Sequence, residues 1–201
     1  MIKHIHRQVR KARYIVYKET LVNYREHFWT FIGSFVGIGL IGLISSEYFT
    51  AYDNLFMVGS FGASSVLIYG VINSPLAQPR NLIGGHVLSA IVGVTMFKLF
   101  GTEIWLSSAL AVSASIVVMQ MTKTLHPPGG ATALIANVGS AKVHALGYFY
   151  VISPVLSGAV ILLIVALIFN NMTKHRHYPN NKHWYKIWRR YKRTARHQAG
   201  Q

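Results

Sequence analysis

The chain has 201 residues, no cysteine, and 20 Lys+Arg against 5 Asp+Glu, for a formal net charge of +15. Only 12% of its residues are charged and 52% are hydrophobic, whereas a soluble domain carries about 25% charged residues. A disulfide framework is excluded, and the placement of the charge excludes an ordinary soluble domain.

Residues 1–27 hold seven Lys/Arg and two Glu, and residues 174–201 hold nine Lys/Arg and no acid. The stretch 28–173 has only four bases (Arg80, Lys98, Lys123, Lys142) and three acids (Glu47, Asp53, Glu103). Such a stretch cannot cover its own surface with polar groups in water, and it is too hydrophobic to stay disordered. The chain therefore divides into a basic N-terminal segment (1–27), a transmembrane region (28–173) and a basic C-terminal tail (174–201).

Six uncharged runs follow in chain order: 28–46, 54–79, 81–97, 104–122, 124–141 and 143–173. A spanning helix needs roughly 20 mostly apolar residues, and the first, third, fourth and sixth runs meet that length within a residue or two. The second and fifth are interrupted by Gly, Pro and Ser. Backbone groups freed by such breaks must be satisfied inside protein or in a wet cavity, so these two runs are predicted as broken or re-entrant helices. Residues 28–46 are expected to stay as an anchor, because the basic region before them is too long for a signal peptide and no small-x-small cleavage pattern follows. The fold expected is all-α and polytopic, with four full transmembrane helices and two interrupted ones.

Basic tails at both ends predict that both termini are cytoplasmic, in a multi-pass protein of the cell membrane. That requires an even number of crossings: four if the interrupted runs re-enter, six if they cross. A weak internal repeat bears on this. Gly62-Ala63-Ser64-Ser65-Val66-Leu67-Ile68 resembles Gly130-Ala131-Thr132-Ala133-Leu134-Ile135 at an offset of 68, and shifting 82–100 by 68 lands on the helix predicted over 150–168. Three crossings per half would make the repeats inverted, a design that puts a substrate site near the midplane at discontinuous helices. Chance similarity among small residues is the alternative.

The sharpest motif is His126-Pro127-Pro128-Gly129-Gly130-Ala131-Thr132. Pro128 suits the start of a helix, and Pro127 holds His126 extended. Gly129 and Gly130 would leave amides uncovered at a positive dipole end, which suits an anion, and Thr132 would add a hydroxyl. Gly59 to Ser64 would make the matching helix start in the first half, bringing Gly62, Ala63 and Ser64 to the site. Close helix packing is the bland explanation of the same glycines.

The stretches GSFGASSVLIYG (59–70), SPLAQPRNLIGGH (74–86) and HPPGGATALIA (126–136) resemble the HPP family of integral membrane proteins over about residues 28–170. The short single-domain form looks like a bacterial member. The resemblance implies four membrane spans, and it implies transport, since plant chloroplast members are associated with nitrite. The substrate-binding set expected is Gly62, Ala63, Ser64, Arg80, His126, Pro127, Pro128, Gly129, Gly130 and Thr132, with His86 and His126 as proton-coupling candidates.

Several of these residues have two readings. Arg80 is either a functional charge beside a span or an interfacial anchor. His86 is either a core histidine bonded to backbone or a proton carrier, and His126 a proton carrier or a loop cap. Lys123 and Lys142 either draw anions towards the HPP segment or are solvated end charges. Asn73 and Asn137 are placed to line a polar cavity. Gly33 with Gly37, and Ser89 with Gly93, have the spacing of close helix contacts.

In the tail, 182–197 interleaves bases with Trp184, Tyr185, Trp188 and Tyr191, and 3–25 looks similar. Both fit interfacial helices on anionic lipid headgroups. Nucleic-acid binding is disfavoured, since an adjoining span already accounts for the charge. An enzyme is not expected: there is no thiol, no carboxylate pair for acid/base work and no His-x-x-Glu spacing for a metal, so no cofactor is expected either. The function expected is a transporter or channel for a small inorganic anion such as nitrite, with a homo-oligomer as an option. The alternative is a membrane scaffold or regulator whose basic tails recruit anionic lipid or a partner.

Overall fold

The computed structural model of the protein describes residues 24–48, 51–174 and 176–180. The fold is all-α. Helix α1 spans Tyr24–Tyr48, and α2 spans Ala51–Ser65 and runs on into a π-turn over Val66–Gly70. A short 3-10 turn, Pro75–Ala77, leads to α3 (Pro79–Phe100), followed by α4 (Ile104–Thr122). The chain then forms α5 (Pro127–Val138), the short α6 (Ala141–Leu146), a π-turn over Val151–Leu156 and α7 (Ser157–Phe169). Four segments, Tyr24–Tyr48, Pro79–Phe100, Ile104–Thr122 and Val151–Phe169, are long and apolar enough to cross a membrane. The protein is a polytopic membrane protein, and these four are the full spans expected from sequence.

Hydrogen bonds fix the two ends of the bundle. At one end, which carries residues 24 and 180 and is here called the terminal end, Asn170 donates to the Ile68 carbonyl (2.6 Å) and Arg176 to the Glu26 carbonyl (2.9 Å). Asn81 there donates to the Leu125 carbonyl (2.8 Å). At the far end, the Ser140 hydroxyl donates to Asp53 (2.5 Å), Lys142 donates to the Tyr48 carbonyl, and Thr95 bonds Tyr148 (3.0 Å). Leu125 thus lies at the terminal end and Ser140 at the far end, so α5 carries the chain from one end to the other. It has 12 residues, about 18 Å at 1.5 Å per residue. Extended backbone at His126 and Gly139 lengthens its reach.

This decides between four and six passes: the described chain passes six times between the two ends. The second run is interrupted as expected, but not where the matching helix start was placed. No helix starts at Gly59–Ser64. Those residues are interior to α2, and the irregularity comes later, as the π-turn at Val66–Gly70. The two halves, α1-α2-α3 and α4-α5-α7, each consist of three passes and run in opposite directions, as an inverted repeat requires.

Small residues let these helices approach. A Cβ at Gly93 would lie 2.6 Å from the Ala133 carbonyl oxygen, one at Gly129 would lie 2.8 Å from the Gly85 oxygen, and one at Gly85 would run into the His126 Cβ. Gly33 and Gly37 receive the Tyr69 ring in the same way. On α4 the buried face is Ser107, Ala111, Ser115 and Met119, one residue per turn. Large apolar side chains such as Phe31, Phe35, Leu43, Trp105 and Ile164 point outward, the pattern of helices whose outer faces meet hydrocarbon.

Residues after α7 close the terminal end. Arg176 is buried and donates to the Tyr69 carbonyl (2.8 Å), Asn170 Oδ1 (2.7 Å) and Thr30 Oγ1 (2.8 Å), and pairs with Glu26 (3.4 Å). Tyr69 lies in the π-turn, where the i−4 ladder is broken, and Thr30 donates to the same carbonyl (3.0 Å). Tyr178 donates to the Ala77 carbonyl (2.7 Å).

Candidate functional site

α2, α3 and α5 each contribute polar groups to one buried cluster. Ser60 and Ser64 stand one turn apart on α2, His86 comes from the first half of α3, and His126 caps α5, on which Thr132 lies. His86, His126 and Ser64 have no exposed surface, and Thr132 and Ser60 are buried. The two imidazole rings lie edge to face with centroids 5.0 Å apart.

The hydrogen bonds form one chain, and its direction follows from the partners. His126 Nδ1 faces the Leu76 carbonyl (2.8 Å). A carbonyl only accepts, so Nδ1 carries the proton, and in the neutral ring Nε2 accepts. Its partner is Ser64 (3.0 Å), whose hydroxyl must therefore donate to it. Ser64 Oγ is then free to accept from His86 Nε2 (2.7 Å). That leaves His86 Nδ1 to accept from Thr132 (2.7 Å), whose oxygen accepts from Ser60 (2.9 Å). With both rings neutral, this is the arrangement that gives every ring nitrogen a complementary partner.

The chain can also take up a proton with little movement. Ser64 has a second acceptor in the Ser60 carbonyl (3.2 Å), and Thr132 and Ser60 both reach the Pro128 carbonyl (3.4 and 3.0 Å). Protonating His126 Nε2 or His86 Nδ1 requires only that the neighbouring hydroxyl rotate onto its carbonyl. Among the described residues, no acidic side chain is a hydrogen-bond or ring partner of the pair. A protonated pair would therefore be a buried positive charge without a counter-charge.

A cavity of about 370 Å³ approaches the cluster from the far end. Its lining is mostly apolar, with Ile41, Ile44, Phe149 and Ile161 beside Ser45, Ser153 and Ser157; it includes Glu47, Tyr48 and Lys142 of the far end, and Phe61 and Gly158. Phe61 is buried, with its ring centroid 5.1 Å from that of His86. Ser153 has non-helical backbone angles (φ −133, ψ 119) inside the turn preceding α7.

Several expected site residues lie elsewhere. Ala63 is exposed and Gly62 has nothing within 4 Å of a Cβ, so of that trio only Ser64 reaches the cluster. Arg80 is exposed at the terminal end and donates to the Thr122 carbonyl (2.5 Å). The bare helix start is corrected at Gly129. Pro127 and Pro128 have no N–H, and the Gly129 amide donates to the His126 carbonyl (2.8 Å), so of the two amides expected to be bare, Gly129 already has a partner. Pro127 is exposed and Pro128 buried, with its carbonyl in the cluster. Gly129 serves the contact with α3, and Gly130 faces open space with only Val112 near it. His86 is bonded to side chains rather than to backbone. Lys123 and Lys142 sit at opposite ends of the bundle. Asn73 is exposed in the terminal-end loop, and Asn137 is buried between α3 and α5, donating to the Gly93 carbonyl (3.2 Å). Ser60, Leu76 and Phe61 are site residues that the sequence reading does not single out. Ser60 is signalled by its offset of 68 from Pro128, whose carbonyl it bonds. The expectations for 3–23 and 182–197 fall outside the described residues.

The sequence profile described as "HPP, transmembrane region" matches residues 19–179. The chain belongs to the HPP family. Two curated transmembrane proteins of Dictyostelium discoideum are similar to this HPP protein, one 48% identical over 154 residues (75% of this chain, 54% of the relative). The other is 46% identical over 156 residues (75% of this chain, 49% of the relative). These relatives are eukaryotic rather than bacterial, and this HPP chain spans about half of their length. No solved structure matches.

Proposed function

We propose that this HPP protein is a transporter for a small inorganic anion and that it carries the anion together with a proton held by His86 and His126. The observation carrying this reading is the buried pair itself. It can accept a proton by hydroxyl rotation, it lacks a counter-charge, and it lies directly behind a ring that lines a cavity. An anion arriving from the cavity would supply the missing charge, so that proton and anion bind as a neutral unit.

The cavity supports the reading on separate grounds. Non-helical backbone at membrane depth is tolerated where it is buried in protein or lines a cavity, and Ser153, the non-helical residue before α7, lines this one. An inverted pair of three-pass halves with a site between them is a transporter architecture. Carrying a proton with a monovalent anion also removes an electrical cost of about 2.3 kcal/mol per 100 mV.

The membrane orientation expected from charge fits the same scheme. Among the described residues, Arg25, Arg80, Lys123, Lys174 and Arg176 lie at the terminal end with one acid, Glu26. Glu47, Asp53 and Glu103 lie at the far end with Lys98 and Lys142. The bias toward basic cytoplasmic loops supports both termini in the cytoplasm of a cell membrane, with the cavity facing outward. Nitrite is the first species to test, because the family resemblance associates plastid members with it. Nothing in this reading requires catalysis, and the protein is proposed as a non-enzymatic carrier.

The test is uptake into proteoliposomes. Saturable nitrite uptake is expected, accelerated by an acidic outside, unaffected by membrane potential at fixed pH gradient, and reduced at least tenfold in His86→Ala. Folded protein that moves neither nitrite, nitrate nor chloride would overturn it.

A further inference from the structure

Phe61 stands between the far-end cavity and the histidine pair. Its ring lines the cavity on one side and lies 5.1 Å from His86 on the other. Its outer edge is seated on Gly158, where a Cβ would come within 2.5 Å of the ring Cζ and 2.6 Å of Cε2. The glycine thus provides the space that this ring position requires. The neighbours of Phe61 on the same helix, Ser60 and Ser64, are both members of the hydrogen-bonded chain.

We propose that Phe61 is the selectivity barrier of the path from the cavity to the His86/His126 pair. This rests on the transport reading for its purpose, though not for its geometry. A solute leaving a cavity of about 370 Å³ must pass the ring before it meets the first imidazole. The bulk of the ring excludes whatever cannot slip past when it turns off Gly158, which limits the cargo to ions of a few atoms.

The absence of cysteine from the chain makes a clean test available. Ser64→Cys puts one thiol behind the ring, and Ser45→Cys puts one on the cavity wall. Each is made with Phe61, with Phe61→Leu and with Phe61→Ala, and labelled in detergent solution by a charged methanethiosulfonate reagent. Labelling at position 64 is expected to be slow with Phe61 and at least tenfold faster with Phe61→Ala, with Phe61→Leu between them. Labelling at position 45 should be equally fast in all three. Equal rates at position 64 with and without the ring would overturn the barrier. Because labelling needs no transport, a protein that moves no anion would sink the transport reading and leave this result standing. If flux is present, Phe61→Ala should admit larger anions such as benzoate, which the parent excludes.

Discussion

Ser64 and Thr132, 68 positions apart, grip opposite nitrogens of one imidazole, each at 2.7 Å from His86. They match at the sequence offset of 68, and the two hydroxyls meet across a ring that α3 supplies. Each hydroxyl is needed for the ring to have two complementary partners. Leaving a buried polar group without a partner costs about 1–3 kcal/mol. Ser64→Ala strands nitrogens on both rings and Thr132→Val one, so thermal unfolding in detergent should show Ser64→Ala as the more destabilised. Thr132→Ser keeps the hydroxyl and should stay close to the parent.

The approach of α3 to α5 sets a second expectation. Gly93→Ala would put its methyl 2.6 Å from a backbone oxygen and 2.8 Å from the Ala133 Cα, neither of which is a flexible side chain. Overpacking of this kind costs typically about 1–3 kcal/mol. Gly42→Ala, with nothing within 4 Å, should instead be neutral or stabilising by up to about 1 kcal/mol, since alanine is the better helix former. Denaturation midpoints of the two variants should move in opposite directions or differ by that sum.

Arg80 offers a test of where the site lies. Its guanidinium caps the end of α4 at the Thr122 carbonyl and is not among the partners of the pair. Arg80→Gln should therefore retain flux within about threefold, while His126→Ala, which frees both Leu76 and Ser64, should lose at least about tenfold, or about 1.4 kcal/mol. Equal loss in both would bring the terminal end into the site.

Tyr178 predicts a response to alkali. Burial raises its hydroxyl above the ordinary tyrosine range, which lies near about pH 10. The folded group holds its proton more tightly than the unfolded one, so its contribution is fully present below about pH 10 and is lost as pH rises beyond it. The segment after α7 should loosen in strong alkali, read as faster proteolysis near residue 180. Tyr178→Phe should be looser at neutral pH and lose much of that alkaline step.

Most of the architecture is legible in the order of the residues alone. Charge locates both ends of the bundle, and length locates the four long helices. The departures have one physical source. Gly59 to Ser64 has the composition of a helix break, but glycine and serine also suit a smooth helix pressed against another, and only the neighbour decides. A bare Gly129 amide is the natural expectation from Pro-Pro-Gly-Gly, because nothing in the motif tells that the His126 carbonyl turns back to accept it. The hydrogen-bonded chain is half visible. Ser64, Thr132 and both histidines stand out by type and spacing, while Ser60, Leu76 and Phe61 gain their roles from elements that meet only in three dimensions.

The number of passes in each half has a consequence for how such a bundle is made. Three is odd, so the two halves run through the bundle in opposite directions. A single half acting alone would have to insert in both orientations to pair with itself, which requires little charge asymmetry at its ends. Among the described residues the terminal end of this chain is strongly basic, and the far end has three acids against two bases. Joined in one polypeptide, the halves need no such freedom, because the link between α3 and α4 fixes how they meet.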